Sequence, residues 1–263
     1  MLDHLDWDTY WRFELFRRRC DPVDFRRWKR DSQRELKKLY PGRPLLLDST
    51  AGLGDHTVNL AEEGFSVEAC DTSEVALEAT RRALAEAGLD VPVFRARWEA
   101  LERPGRYALI FNDALHWVYD PAELAAALRG FFEALAPGGA LVFFFADRAE
   151  DHEGAGRAML ERQWAGTARA RVAWDHTHEG TTVTLTVVSE RGDDFVDQHH
   201  LYLVREGGAP PGLETLTMRE VYRWDWHALA PLLAEAGFVD ARTDHFQNVK
   251  GRWYAMSRAF KPR

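Results

Sequence analysis

Two acidic residues and a pair of glycines mark the stretch of this sequence that is best suited to chemistry. An Asp-x-x-x-Gly-x-Gly pattern runs from Asp48 through Gly52 to Gly54, directly after the three leucines of residues 45–47. A short apolar run is typical of a strand buried on both faces, and helical spacing begins at Val58. A glycine-rich turn between such a strand and a helix brings backbone N–H groups close to a ligand. The pattern therefore predicts a ligand site at the end of the first core strand.

The acids narrow the class of ligand. A dinucleotide fingerprint requires a third small residue where Thr57 stands, and it needs no acid at the strand end. Asp48 suits a ligand with a cationic part, such as the amino group and sulfonium of S-adenosylmethionine. Asp71, seventeen residues after Gly54, ends the next predicted strand, where a carboxylate accepts hydrogen bonds from both ribose hydroxyls. Capping of the next helix is the alternative role for Asp71. The set indicates a class I methyltransferase that uses S-adenosylmethionine.

The amino-acid composition argues against several other classes of function. The 263 residues are 46% hydrophobic, enough for one sizeable domain with an insertion, and a net charge of −8 argues against a nucleic-acid or anionic-membrane partner. Two cysteines are too few for a disulfide framework or a metal site, and adjacent histidines at 199–200 point to opposite strand faces. The longest apolar run, 140–146, is far too short to span a membrane, and no signal peptide is recognisable. We expect a cytoplasmic protein with a small-molecule substrate and no metal.

The elements that must position these residues alternate from residue 45 onward, as in a mostly parallel sheet. Helices are predicted from the glycine turn to about 63, over 73–87 and over 121–135. A Pro-Gly-Gly turn at 137–139 precedes the fifth strand. The predicted strands are 45–48, 66–71, 91–96, 107–112 and 140–146.

Beyond residue 147 the pattern changes to alternating segments separated by turns, typical of an antiparallel meander. A helix over 226–236 and a closing hairpin then return to the first pattern. We predict an α/β fold in which a seven-stranded Rossmann-like methyltransferase sheet carries an antiparallel β insertion between strand 5 and the last helix. The predicted parts are a helical lid segment (1–40), the Rossmann-like domain (41–147 and 225–263) and a β cap that forms the substrate region (148–224).

The first forty residues are rich in charged and aromatic side chains at near-helical spacing. Pro22 after Asp21 predicts the start of a second helix. Two interpretations stay open: amphipathic helices that cover the sheet edge, or a lid that closes over a flat ligand. The basic cluster of residues 17–30 is interleaved with acids and rings, which favours a solvated helix face.

Several short motifs resemble glycine N-methyltransferases. They are Glu-Glu-Gly-Phe-Ser-Val at 62–67, Arg-Trp at 97–98, the turn at 111–117 after strand 4, Asp-Phe-Arg-Arg-Trp at 24–28, and the meander segments 183–187 and 201–202. The resemblance implies that Asp71 holds the ribose and that Trp98 lies beside the adenine, next to the backbone of Arg97. It also implies that Asn112 and His116 face the methyl group.

The resemblance also implies acceptor-side roles. Arg148 lies near the position of an arginine that clamps the substrate carboxylate, and Tyr202 matches a tyrosine of the lid sheet. The predicted catalytic set is His116, Arg148, Tyr202 and Tyr10. The predicted cofactor-binding set is Asp48, Thr50, Ala51, Gly52, Gly54, Asp71, Thr72, Arg97, Trp98, Asn112 and Trp28.

The acceptor is less defined than the cofactor. N-methylation of a small amine or amino acid, of the glycine or sarcosine type, is our first hypothesis. The turn after strand 4 also resembles trans-aconitate methyltransferases, so O-methylation of a small carboxylic acid or hydroxyl metabolite is the alternative. A cofactor-binding protein without turnover is a third hypothesis. In the resembled family the N-terminal segment contacts neighbouring subunits, which implies a possible homo-oligomer.

Overall fold

The computed structural model describes residues 6–22, 25–144, 155–247 and 253–263. Its larger sheet has seven strands in the order β10-β11-β5-β4-β1-β2-β3, as predicted for the Rossmann-like fold. The strands are β1 (Leu45–Asp48), β2 (Ser66–Asp71), β3 (Val93–Arg95), β4 (Tyr107–Asn112), β5 (Leu135–Phe143), β10 (Val239–Gln247) and β11 (Trp253–Phe260). β1 pairs in parallel with both β2 and β4, so the carboxyl ends of these three strands meet at one edge of the sheet.

Helices cover both faces of this sheet. They are α2 (Phe25–Leu39), α3 (Asp55–Glu62), α4 (Glu74–Glu86), α5 (Pro121–Ala134) and α7 (Trp226–Glu235). Leu46 packs into a cluster with α2 and α3, whereas its neighbour Leu47 packs into the cluster on the side of α5 and α7. Because successive strand residues point to opposite faces, β1 needs apolar side chains at both positions, which explains the unbroken leucine run.

The fifth strand differs from its predicted bounds. It begins at Leu135, directly after α5, and ends at Phe143, whereas the sequence predicted residues 140–146. Tyr107 pairs with Leu135 while Leu109 pairs with Ala140, so the Pro-Gly-Gly segment forms a bulge inside the strand and not a turn before it. Residues 145 and 146 lie outside the described residues. β3 is also shorter than predicted, and it pairs only with Ala69–Asp71 of β2.

The predicted insertion is a separate antiparallel sheet of four strands in the order β6-β7-β8-β9. They are β6 (Ala170–His178), β7 (Thr181–Arg191), β8 (Phe195–Glu206) and β9 (Gly212–Val221), and α6 (Ala155–Gly166) precedes them. In the sequence they fall between β5 and α7, as predicted. We call this unit the lid sheet.

The first helix, α1 (Trp7–Cys20), joins the two sheets. On the lid-sheet side, the ring of Phe13 stacks on Tyr202 with centroids 3.8 Å apart. On the other side, Asp8 accepts a hydrogen bond from Ser73 Oγ at 2.5 Å, and Arg18 forms a two-pronged ion pair with Asp55 at 3.0 and 2.9 Å. α1 is thus fastened to the first turns of both α3 and α4.

Two further findings on the described residues concern membranes and metals. Within the described ranges, no helix combines the length and apolar character needed to cross a bilayer. A search of the same residues finds no group of three or more His, Cys, Asp or Glu side chains placed to hold a metal ion.

One testable consequence concerns Gly130 in α5. A Cβ at this position would lie 2.0 Å from the carbonyl oxygen of Trp98. Since this contact involves backbone, we expect Gly130→Ala to lower the free energy of unfolding by about 2 kcal/mol or more. Gly166→Ala is the matched control, because a Cβ added there would meet nothing within 4 Å. Urea denaturation measures both, and equal stabilities of the two variants would contradict the close packing.

A second consequence concerns His200, which is buried in the lid sheet. Burial, reinforced by the charge of Arg171, lowers the pKa of His200 to about 4. Between about pH 6.5 and 4, the unfolded chain therefore binds a proton that the folded chain does not. We expect the free energy of unfolding to fall across this window as pH falls, with up to about 3 kcal/mol due to this group. His200→Gln should flatten the slope, whereas exposed His245→Gln should not; identical slopes would refute the assignment.

Candidate active site

The glycine turn after β1 is organised by a buried carboxylate. Asp48 is fully buried, and it accepts hydrogen bonds from Thr57 Oγ1 at 2.7 Å and from the backbone N–H of Thr50 at 3.1 Å. Burial raises the pKa of Asp48, and His56 and the Thr57 hydroxyl oppose that rise. Asp48 therefore holds the turn from inside, and the walls of the cavity are built by the residues that it positions.

Positive backbone angles explain the two glycines. Gly52 and Gly54 have φ values of 52° and 85°, a region that side chains with a Cβ rarely adopt. A Cβ on Gly54 would press within 3.2 Å of the Thr80 backbone, and one on Gly52 would come 3.1 Å from the indole of Trp11. The turn therefore depends on glycine both for its conformation and for the approach of α1.

Asp71 at the end of β2 is bound to this turn. Its Oδ2 accepts the N–H of Gly52 at 2.9 Å, and its Oδ1 accepts the N–H of Ser73 at 3.0 Å. Burial raises the pKa of Asp71 even though these bonds favour the charged form. Ser73, and not Asp71, caps α4 through its side chain. Each carboxylate oxygen keeps a further lone pair for a ligand hydroxyl, as the predicted ribose role requires.

A cavity of about 200 Å³ opens at this edge of the sheet. One half is lined by the turn at 49–53, by Asp71 and Thr72, and by Trp98. Trp98 is held from behind, since its Nε1–H donates to the carbonyl of Ser49 at 2.7 Å and its ring lies 5.7 Å from Phe131. The predicted residues Thr50, Ala51, Gly52, Asp71, Thr72 and Trp98 thus line one space.

The other half of the cavity is aromatic. Three rings of α1 line it, and the turn after β4 and strand β9 contribute one side chain each. These five residues are Trp7, Tyr10, Trp11, Trp117 and Met218. The N-terminal rings thus line the cavity. The lid interpretation of this segment and its contact with neighbouring subunits both stay predictions.

Among the residues that the structure describes, Tyr10 is the only member of the predicted catalytic set that lines the cavity. Burial, together with the charge of Glu14, raises the pKa of Tyr10 to about 12, against the opposing effect of Arg17 and Arg18. Its hydroxyl is therefore a neutral phenol near pH 7. It is able to position an acceptor by hydrogen bonding, but not to act as a base.

Other predicted site residues lie behind the wall. Asn112 is fully buried; its Nδ2 donates to Ser49 Oγ at 3.0 Å and its Oδ1 accepts the N–H of Ala114 at 2.9 Å. Both ends of the amide thus connect the turns after β1 and β4. Gly54 starts α3, and Arg97 pairs with Glu99 at 2.5 Å. None of these three residues lines the described cavity.

The remaining members of the predicted sets lie elsewhere. Tyr202 is buried against Phe13, and neither it nor His116 lines the described cavity. Arg148 lies outside the described residues. Trp28 belongs to α2, but its side chain is outside the described part of the structure. The proposed roles of these residues stay predictions.

Four charged lining residues were absent from the predicted sets, namely Arg18, Lys29, Asp55 and Asp113. Asp113 had a signal in the sequence, because it directly follows the carboxyl end of β4, where ligands bind in α/β sheets. Asp55 likewise begins α3 beside the glycine turn. Met218 had no such signal, since its strand lies far along the chain in the lid sheet.

These features fit S-adenosylmethionine. The glycine turn lets a ligand approach the backbone without intervening side chains, Asp71 offers acceptors for two hydroxyls, and Trp98 offers an apolar ring that lines the same cavity. The aromatic half adjoins these groups, where a methyl acceptor would have to lie. The donor and acceptor set thus matches the cofactor that the sequence indicated.

Comparison with known proteins agrees with this fit. The profile of a family described as a methyltransferase domain matches residues 46–139, which contain both glycines and Asp71. This chain is an S-adenosylmethionine-dependent methyltransferase. The matched range includes the cofactor half of the cavity, whereas α1 and the lid sheet lie outside it.

The methyltransferase is also similar to individual proteins over most of its length. It is 29% identical to an S-adenosyl-L-methionine-dependent Diels-Alderase from Neonectria sp. (strain DH2), over 89% of this chain and 70% of that protein. A sugar N-methyltransferase from Streptoalloteichus sp. ATCC 53650 superposes with a TM-score of 0.68 at 20% identity, covering 95% and 93% of the two chains.

A third similar protein was solved with the cofactor bound. It is an amino pentose methyltransferase from Micromonospora echinaspora in a complex with S-adenosylmethionine, with a TM-score of 0.57, 19% identity, and coverage of 88% of this chain and 89% of that one. Such low identities show a shared fold. The finer resemblance to glycine N-methyltransferases stays an interpretation of the sequence motifs.

The site predicts a specific loss of cofactor affinity. Asp71→Asn keeps an acceptor for the N–H of Ser73 but removes the charge that attracts the ribose hydroxyls. We expect S-adenosylhomocysteine to bind about tenfold more weakly or worse, as measured by isothermal titration calorimetry. Asp90→Asn, an exposed acid before β3, should bind as the wild type does. Unchanged affinity in Asp71→Asn would remove this residue from the site.

Proposed function

We propose that the methyltransferase transfers a methyl group to the nitrogen of a small amine. The observation that carries this proposal is the lining of the cavity, which is rich in aromatic rings and in which each described cation lies beside an acid. Arg18 is bound by Asp55 at 2.9 Å, and Lys29 lies 3.6 Å from Asp113. Apart from Asp71, which is assigned to the cofactor, the described lining residues include two acids and two cations. No cation among them is left over to pair with the carboxylate of an acidic acceptor, so the lining suits an amine better than a carboxylic acid.

The bound cofactor supplies a methyl group that its sulfonium already activates. The chain must then hold an unprotonated amine in line with that group and exclude water from it. The rings of Trp7, Tyr10 and Trp117 perform the exclusion.

Amino acids and aminosugars both belong to the proposed acceptor class. The predicted carboxylate clamp, Arg148, supports an amino acid of the glycine or sarcosine type. The structural neighbours described above as a sugar N-methyltransferase and an amino pentose methyltransferase support an amine on a sugar. Aromatic faces suit the apolar face of a sugar ring as well as a cationic nitrogen.

A second candidate function has an observation of its own. The Diels-Alderase relative matches 89% of this chain, an extent too large to leave out the lid sheet. A cavity that holds a cofactor beside an aromatic wall is also suited to folding an apolar polyene. In that case the cofactor would be bound and not consumed, as in the third hypothesis from the sequence.

A substrate panel tests the proposal. Purified enzyme is incubated with S-adenosylmethionine and amino acids, aminosugars, simple amines or small carboxylic acids, and mass spectrometry detects a methyl gain. We expect gains on amines that resist alkaline hydrolysis. A product that loses its methyl group in alkali would indicate an ester and favour O-methylation. Cofactor binding without methyl gain on any acceptor would favour the second candidate.

If the aromatic residues contact the acceptor, substituting one of them should impair turnover without weakening cofactor binding. We expect Trp117→Leu to lower kcat/KM for the methylated amine by about tenfold or more, because large rings dominate the energetics of such contacts. The affinity for S-adenosylhomocysteine should stay within about threefold, roughly the error of additivity for separate sites. Trp164→Leu in α6 is the matched control and should leave both values unchanged. Equal effects of the two substitutions would show that Trp117 does not contact the acceptor.

A further inference from the structure

A buried chain of polar groups ends at Asp113 in the cavity wall. Gln33 of α2 is fully buried and His56 of α3 is nearly so. The amide nitrogen of Gln33 donates to Nδ1 of His56, and Nε2 of His56 lies 2.9 Å from Oδ2 of Asp113. A donor at Nδ1 leaves the ring proton on Nε2, so the imidazole donates to the carboxylate.

The carboxylate is held at several points but is not enclosed. The backbone N–H of Asp113 donates to Thr50 Oγ1 at 3.1 Å, which fixes the residue to the glycine turn. Its side chain keeps 35% of its surface exposed, whereas His56 keeps 6%. Within the described ranges, Oδ1 of Asp113 accepts no hydrogen bond, and the side chain lines the cavity. One oxygen is thus anchored and the other is available.

The anchoring network carries an energetic penalty. Oε1 of Gln33 is buried and has no hydrogen-bond partner among the described residues. A buried carbonyl left unpaired is costly, and such groups in folded proteins call for an explanation. The unpaired carbonyl belongs to the same network that presents His56 to Asp113.

The surroundings keep Asp113 charged. Burial acts to raise its pKa, but the hydrogen bond from His56 of α3, with Lys29 of α2 and His116 of the turn after β4, outweighs burial and holds the pKa below its ordinary value. The Asp113 carboxylate is consequently a poor place to keep a proton and a good place to attract a cation.

We propose that Asp113, held by His56 and Gln33, is the anchor for the amine nitrogen of the acceptor, which would donate one N–H to Oδ1. The inference rests on the proposed amine specificity. As the nitrogen lone pair forms the new N–C bond, the C–S electron pair goes to sulfur, and the positive charge moves from sulfur to nitrogen. Asp113 stabilises that charge where it arrives, and the surplus proton leaves to water. His56 and Gln33 are positioning residues.

Lys29 limits the strength of the anchor. Its Nζ is 3.6 Å from Oδ2, too far for a good hydrogen bond but close enough to reduce the negative potential at Asp113. A cationic nitrogen at Oδ1 would therefore bind against this charge. Lys29→Met should strengthen the binding of an ammonium probe, the opposite of the effect expected from loss of Asp113.

The test separates acceptor binding from cofactor binding and from turnover. The full chain is saturated with S-adenosylhomocysteine, and binding of benzylammonium and of its neutral counterpart benzyl alcohol is followed by tryptophan fluorescence at about pH 7. We expect the wild type to prefer the ammonium, and Asp113→Asn to bind it about tenfold more weakly, with benzyl alcohol unaffected. Asp113→Glu should keep the preference, and Asp175→Asn on the lid sheet is the charge-matched control.

The outcomes have distinct meanings. A wild type without ammonium preference, or an Asp113→Asn variant that keeps it, overturns the proposal. A tenfold loss of S-adenosylhomocysteine affinity in Asp113→Asn also overturns it, because the carboxylate would then hold the amino group of the cofactor. If Asp113→Asn does not fold, Asp113→Glu and Lys29→Met decide the matter. Failure of the amine panel with an intact, Asp113-dependent preference would refute the proposed function and leave the anchor standing.

The positioning role of His56 is tested with two substitutions, one that removes its N–H donor and one that retains such a donor. His56→Leu removes the donor to Asp113, whereas His56→Gln retains an N–H. We expect His56→Leu to lower kcat for the methylated amine about tenfold or more with little change in S-adenosylhomocysteine affinity, and His56→Gln to restore most of it. The ammonium preference should follow the same order, which provides a readout independent of turnover. Equal behaviour of the two variants, after correction for any shift in Tm, would reduce His56 to a structural role.

Discussion

The site depends on the burial of a carboxylate at the end of β1. Asp48 has no access to solvent, so its oxygens must be satisfied by groups of the turn that follows, and the hydroxyl of Thr57 and the N–H of Thr50 do so. These bonds draw the chain into a tight turn that requires glycine. This turn also presents the N–H of Gly52 to Asp71. Two strand ends are thereby joined, and the cofactor half of the cavity follows from that junction.

The same turn also organises the acceptor half. Thr50 receives the backbone N–H of Asp113, and Ser49 receives the amide of Asn112, so the ends of β1 and β4 are held together. Asn112 therefore supports the site from behind, although the sequence motif suggested contact with the ligand. A shift of this turn would move both halves of the cavity together, which ties cofactor binding to acceptor alignment.

The sequence motifs were most informative for residues at the ends of neighbouring strands in the repeating strand–helix pattern. Asp48, Gly52 and Asp71 lie at the ends of adjacent parallel strands, and the repeat of strand and helix along the chain is enough to predict their proximity. The polar network behind Asp113 was not predictable in this way. Gln33, His56 and Asp113 come from three separate elements, and each alone resembles an ordinary helix or loop residue.

The sequence by itself determined the fold class, the order of strands and helices, the cofactor turn and the inserted lid sheet, because period and glycine spacing are local properties of the chain. It did not determine strand 5, whose bulge arises from pairing with β4. Nor did it determine the acceptor wall. Only tertiary packing brings the rings of α1, the turn after β4 and Met218 of β9 around one cavity, since contacts between distant segments leave no periodic trace in the chain. The glycine turn thus indicates the cofactor, and packing across the two sheets forms the aromatic wall of the cavity beside it.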